Sequence, residues 1–97
     1  MQQKGILDRN ELRNADLDDP LFIDEKIVFP NDIGTIGIRE REWDWWEVIV
    51  FLKDNPERAV AIESGTRQDC VKYFHDLKCN MERIGVKVKY TSWNLGI

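Results

Sequence analysis

The chain has 97 residues, with 14 basic and 18 acidic side chains and a formal net charge of −4. A hydrophobic fraction of 42%, including four tryptophans, excludes disorder over the whole chain and predicts one folded domain spanning residues 1–97. No apolar run is long enough to predict a membrane span, and no basic segment with an apolar run behind it predicts a secretory signal. We therefore expect a cytoplasmic protein that makes no membrane contact.

The charges are unevenly distributed along the chain. Residues 1–66 carry 8 basic and 15 acidic side chains, whereas residues 67–97 carry 6 and 3. An acidic surface over the first two-thirds would repel a phosphate backbone, so nucleic-acid binding is disfavoured. Only the C-terminal third, with Lys78, Arg83, Lys87 and Lys89, offers a basic surface for it.

The predicted elements begin after a partly irregular N-terminal segment, residues 1–25, whose acidic run surrounds Pro20. A short strand at residues 26–29 precedes three β-rich stretches, at residues 33–39, 45–53 and 58–63. Turn-forming residues at positions 53–57 make the last two a hairpin. Alternating apolar and basic or polar residues at positions 86–91 predict a further, half-buried strand at a sheet edge.

A helix is predicted at residues 67–84. Thr66 is a suitable N-cap, Asp69 places a carboxylate in the first turn, and Gly85 provides the C-terminal stop. The helical spacing collects one apolar stripe, with Val71 at its edge, formed by Cys70, Phe74, Leu77, Met81 and Ile84. His75 and Cys79 fall on the opposite, solvent-facing side.

These elements predict an α+β fold, in which a small antiparallel sheet in β-β-β-α-β order carries one amphipathic helix on one face. The β-meander followed by a helix at residues 33–85 is similar in rhythm to small bacterial and phage domains. Among them are short pleckstrin-homology-like units and small acidic immunity or inhibitor proteins. That resemblance is architectural, and it carries no functional residue over to this chain.

The strand at residues 45–53 is apolar on both faces, which one helix cannot cover. Trp46, Val48, Val50 and Leu52 share one face, and Trp45, Ile49 and Phe51 share the other. The second face is covered by the chain itself, by a second copy, or by a different partner. Self-covering would use residues 1–25 together with Trp93 and Leu95.

The run Trp43-Asp44-Trp45-Trp46 stands at the entrance of this strand among alternating charges. Tryptophan and arginine are enriched at binding hot spots, and Trp43 is the best candidate for an exposed aromatic side chain. Trp45 and Trp46 are expected to lie in the core, although Trp45 is kept as a candidate contact. The predicted partner-binding residues are Arg41, Glu42, Trp43, Asp44, Trp45 and Glu47.

Catalytic and metal-binding signals are weak. His75 and Cys79 have the spacing of two zinc ligands or of a thiolate and its base, but the further ligands, the cleft and the oxyanion donors are missing. We expect no cofactor, no metal and no catalytic residue.

The sequence thus predicts a non-catalytic protein-binding module. The expected type is a small acidic immunity protein, an inhibitor, or an accessory protein of a phage or mobile element. The expected partner is a basic protein. A homodimeric structural module and a single-stranded nucleic-acid binder are the alternatives.

Overall fold

The main sheet has four strands in the order β6-β5-β4-β7 and carries one α-helix. The computed structural model describes residues 5–92. The strands are β1 (Leu7–Asp8), β2 (Leu21–Ile23), β3 (Lys26–Val28), β4 (Ile33–Glu42), β5 (Trp45–Leu52), β6 (Asn55–Gly65) and β7 (Lys89–Ser92). The helix α1 spans Arg67–Arg83, and 3₁₀ helices span Arg9–Asn14 and Pro30–Asp32. Strands β1, β2 and β3 form a second, smaller sheet.

The α+β class and the order of the predicted elements are confirmed. Strands β4, β5 and β6 form an antiparallel meander, whereas β7 pairs parallel to β4, so the main sheet is mixed. The course of α1 explains why β7 pairs parallel to β4 while β4, β5 and β6 pair antiparallel. The helix carries the chain back along the length of the sheet, and β7 therefore starts at the same end as β4.

The helix begins and ends where its sequence signals predict. The Thr66 hydroxyl accepts a hydrogen bond from the Asp69 N–H at 3.2 Å. At the other end Gly85 has φ 77°, and its N–H donates to Glu82 O while that of Val86 donates to Met81 O. This is a Schellman ending. It holds Val86 at the helix terminus, which is why β7 begins three residues later than predicted.

The buried side of α1 is rotated from the predicted stripe. Cys70, Leu77 and Met81 are buried as predicted, but Tyr73 and Asn80 are buried beside them and Val71 is exposed. The reason is the first 3₁₀ helix, which packs against α1 on that side.

The described part of the N-terminal segment is more ordered than predicted and packs into the core on the helix side of the main sheet. Its buried side chains, Leu12, Ala15, Leu21 and Ile23, join the core formed by α1 and the inward face of the main sheet. The second face of β5 is partly covered as well, because Ile49 is fully buried there whereas Trp45 is 50% exposed. That residues 1–25 provide this cover stays a prediction. The parts assigned to Trp93 and Leu95 lie outside the described residues.

Candidate functional site

The predicted site lies at the tip of a β-hairpin rather than at the entrance of a single strand. β4 continues beyond the predicted boundary to Glu42, which pairs with Trp45 and leaves Trp43 and Asp44 as the turn. Asp44 has φ 56°, a left-handed conformation that Asp tolerates better than most residues. Its N–H donates to Glu40 Oε2 at 3.0 Å, which fastens the turn to β4.

The three tryptophans of this run have different environments. Trp43 is 96% exposed, which confirms the prediction of an exposed aromatic side chain. Trp46 is buried under α1, with the Arg67 guanidinium 5.8 Å from its ring centroid. Trp45 is 50% exposed, so its expected place in the core is wrong. Because side chains alternate along β5, Trp45 lies on the face opposite Trp46, and it is the first residue of the strand.

The charges below the tip form an internal cluster. Glu47 Oε1 accepts from Arg39 Nε at 2.8 Å and lies 2.8 Å from Arg39 Nη2 and 3.8 Å from Arg41 Nε. The Glu47 side chain is only 12% exposed. Of the predicted contacts, Glu47 is therefore engaged within the molecule, and Arg41 is partly neutralised. Arg39, which faces Glu47 across β4 and β5, is the residue that sequence reasoning missed.

The outermost charges of the hairpin are acidic. Glu42 and Asp44 are exposed, and within residues 5–92 neither carboxylate forms an ion pair. The structure thus brings Glu42, Trp43, Asp44 and Trp45 together as one surface, which we call the hairpin tip. It presents two indole rings and two carboxylates.

The two cysteines lie on opposite sides of α1, Cys79 exposed and Cys70 buried. Cys79 Sγ lies 3.7 Å from His75 Nε2 on the exposed side of α1, as the spacing predicts. Cys70 is on the buried side, where burial first and then the charge of Glu63 raise the pKa of its thiol to about 11. In the described part of the chain, no group of three His, Cys, Asp or Glu side chains could hold a metal ion.

The basic residues and the aromatic tip lie at opposite ends of the main sheet. Lys89 pairs with Thr35 near the start of β4, whereas the tip follows the end of β4. Arg83 donates to Ala15 O and Asp16 Oδ1, so it holds the N-terminal segment. Lys89 and Arg83 therefore form no basic track beside the rings of the tip, whereas Lys78 Nζ lies 5.3 Å from the centroid of the Tyr90 ring. Binding of single-stranded nucleic acid stays a prediction.

Comparison with known proteins gave no matching family model, no similar curated protein and no similar solved structure. None of the helices within residues 5–92 has the length and apolar character needed to cross a membrane. What the fold and the site define is a small α+β domain with an aromatic and acidic hairpin tip.

Proposed function

We propose that this protein binds another protein through the hairpin tip and that it does so without catalysis. The observation that carries the proposal is Trp43, whose indole is almost completely exposed at the turn between β4 and β5. A buried indole contributes strongly to folding, but an indole in water contributes little. An exposed indole contributes to the free energy of binding when a partner covers it. Tryptophan is among the residues most enriched at binding hot spots.

The geometry of the hairpin supports the same proposal. The Asp44 N–H to Glu40 contact and the Arg39 to Glu47 pair hold the turn in one conformation. A preorganised tip loses less conformational entropy on binding than a mobile loop would. Trp43 and Trp45 therefore act as anchors that need little rearrangement.

The charge of the tip supports a basic partner. Arg39 and Arg41 are drawn to Glu47, and the acidic side chains of Glu42 and Asp44 are left facing solvent. Complementary charges raise the association rate and exclude acidic competitors. The partner surface is thus a hydrophobic pocket with basic side chains at its rim, as an acidic immunity, inhibitor or accessory protein would require. A cytoplasmic location is part of this proposal and agrees with the free thiols of Cys70 and Cys79.

The first test is quantitative affinity capture from cells of the source organism. The immobilised wild-type protein and Trp43→Ala are compared for recovery of the same specifically eluted protein. We expect Trp43→Ala to reduce that recovery by about tenfold or more, because truncating a hot-spot tryptophan costs at least about 2 kcal/mol. The melting temperature should stay within about 4 °C of wild type, since exposed substitutions rarely exceed about 0.5 kcal/mol.

The matched control is Leu17→Ala, which truncates another exposed apolar side chain outside the hairpin tip. It should leave the recovery unchanged. Equal recovery by wild type and Trp43→Ala would contradict the proposal, as would an equal loss in Leu17→Ala.

A further inference from the structure

A groove lies between α1 and β7 at one edge of the main sheet. Because α1 packs mainly on β4, β5 and β6, a volume of about 360 Å³ is left open beside β7. The rings of Phe74 and Tyr90, which meet edge to face with their centroids 6.0 Å apart, line it. Its other lining residues include Ile38 of β4, Val71, His75 and Lys78 of α1, and Ser92 of β7.

The groove continues along α1 towards the first turn of the helix. A second depression shares Val71 and His75 with it and reaches Arg67. From Lys78 to Arg67 the helix covers about 16 Å at 1.5 Å per residue, which is the length of about five extended residues. We call the two parts together the α1–β7 groove. Its length suits an extended segment of chain rather than one side chain.

The strand beside this groove has an unpaired edge. β7 is the outermost strand of the main sheet, and no strand of residues 5–92 pairs with the side of β7 that faces away from β4. An edge strand presents backbone N–H and C=O groups that can pair with another chain. An extended peptide that adds to such an edge gains main-chain hydrogen bonds, and pockets beside the edge select its side chains.

The charged side chains that line the α1–β7 groove are cationic. Lys78 and Arg67 form no ion pair within the part of the chain that the structure describes, and Lys78 Nζ lies 5.3 Å from the centroid of the Tyr90 ring. Lys72 lines the second part of the groove and is paired with Asp76 at 3.2 Å. Two cations are therefore available to a ligand.

No Asp or Glu side chain of residues 5–92 lines either part of the groove. Glu82 lies one helical turn beyond Lys78, at the end of α1. The groove is thus a local cationic surface on a chain whose net charge is −4, and it is complementary to an acidic ligand. The carboxylates of α1 and β4 outside its lining are Glu40, Glu42, Asp69, Asp76 and Glu82.

From the apolar lining, the unpaired edge and the cationic side chains, we propose that the α1–β7 groove binds an extended acidic segment of another protein. The segment pairs with the outer edge of β7 and places an apolar side chain against Val71 and Phe74, while its carboxylates meet Lys78 and Arg67. Residues 93–97, which follow Ser92 in the chain, contain no acidic side chain and do not supply this charge. The inference goes beyond the proposed function and does not depend on it.

The groove favours an acidic peptide over a nucleic acid, which is also anionic. Bases bind by stacking on open aromatic faces. The Tyr90 ring already has Phe74 packed against it and Lys78 over it, so it offers little room for a base. The apolar side chain of Val71, which is 39% exposed, instead suits an aliphatic or aromatic side chain of a peptide.

The test is selection from a displayed library of random octapeptides by the full chain, followed by fluorescence anisotropy of the recovered peptides. Wild type should enrich peptides in which acidic residues alternate with apolar ones, and their affinity should fall as the salt concentration rises. Trp43→Ala should bind the same acidic peptides with unchanged affinity, because Trp43 does not line the groove.

Two variants locate the binding. Val71→Glu sets a carboxylate in the groove and should weaken the selected acidic peptides at least about tenfold, because like charges then meet. Leu17→Glu, the same charge at a side chain that is 51% exposed outside the groove, is the matched control and should bind like wild type. Lys78→Gln should weaken binding about threefold, and Lys53→Gln, in the turn between β5 and β6, should not.

A wild-type selection without acidic peptides would overturn the proposal, as would peptide binding that Val71→Glu leaves intact or that Leu17→Glu weakens equally. Three further outcomes would assign the groove to another occupant. They are displacement of the selected peptides by a poly-dT oligonucleotide at equal concentration, a wild-type dimer that Val71→Glu dissociates, and peptide binding seen only after deletion of residues 93–97. None of these outcomes bears on partner binding at the hairpin tip.

Discussion

Individual backbone conformations show where this chain accepts strain. Asp24 and Glu25, the two residues between β2 and β3, have φ values of 56° and 63°. A two-residue hairpin turn with both central residues at positive φ is of the type I′ pattern, in which Gly is strongly preferred at the second position. Asp24 is held by Arg58, but Glu25 carries a Cβ in a conformation that costs an L-residue about 1–2 kcal/mol.

Glu25→Gly should therefore stabilise the protein. Relief of the left-handed strain exceeds the extra entropy that Gly gives the unfolded chain, and we expect a gain of about 0.5–1 kcal/mol. For a domain of this size the melting temperature rises by roughly 3–6 °C. Thermal unfolding measures it. Glu57→Gly, the same replacement at a residue of β6 that has no positive φ, is the control and should lower the melting temperature.

Sequence reasoning at this scale succeeds for some residues and fails for others. The exposure of Trp43 is predictable because a charged, turn-prone neighbourhood surrounds it. The exposure of Trp45 is not, because the position of the hairpin turn decides which end of β5 lies beyond the core. The Trp43-Asp44 turn contains no Gly or Pro that would have marked it.

Among the elements, the contact between α1 and the first 3₁₀ helix depends on polar side chains. Asn80 Nδ2 donates to Leu12 O at 2.8 Å and to Ala15 O at 3.0 Å, and Asn80 Oδ1 accepts from Arg83 Nε at 2.9 Å. The Tyr73 hydroxyl donates to Asn10 O at 2.6 Å. Side chains of the helix thus donate hydrogen bonds to carbonyls of the N-terminal segment.

Asn80→Ala should destabilise the protein by about 1–2 kcal/mol, because the carbonyls of Leu12 and Ala15 each lose one of two donors. Asn80→Asp should cost at least as much, since it sets a carboxylate against those same carbonyls. Urea unfolding measures both changes, with Gln68→Ala on the exposed side of α1 as the control. A loss in Asn80→Ala no larger than in Gln68→Ala would show that these hydrogen bonds contribute little.

The elements that local sequence signals define are those that were predicted most accurately. The helix has a cap at each end, and the β5–β6 hairpin has a turn-rich connection. The order of the N-terminal segment could not be predicted, since it depends on contacts of Tyr73 and Asn80 with residues more than sixty positions away. The parallel pairing of β7 is likewise a consequence of how α1 crosses the sheet.

In the whole molecule, exposed apolar side chains lie both at the hairpin tip and on the three-stranded sheet. The hairpin tip carries exposed indoles and acidic charge, and the three-stranded sheet carries the exposed side chains of Phe22 and Ile27, which are Cα partners in β2 and β3. The hydrophobic pattern predicted an excess of apolar surface, but it assigned that excess to β5. Exposed apolar side chains lie also on β2 and β3, where the sequence predicted the end of an irregular segment followed by a short strand.

Binding through the hairpin tip can be tested directly by ¹⁹F NMR of the protein labelled with 5-fluorotryptophan, recorded with and without the captured partner. The resonance of Trp43 is assigned by its loss in Trp43→Phe. We predict that saturation with the partner shifts this resonance and protects it from a soluble paramagnetic quencher, while that of buried Trp46 changes little. A Trp43 resonance that stays unshifted and fully accessible in the saturated complex would contradict the central claim that the hairpin tip is the binding surface.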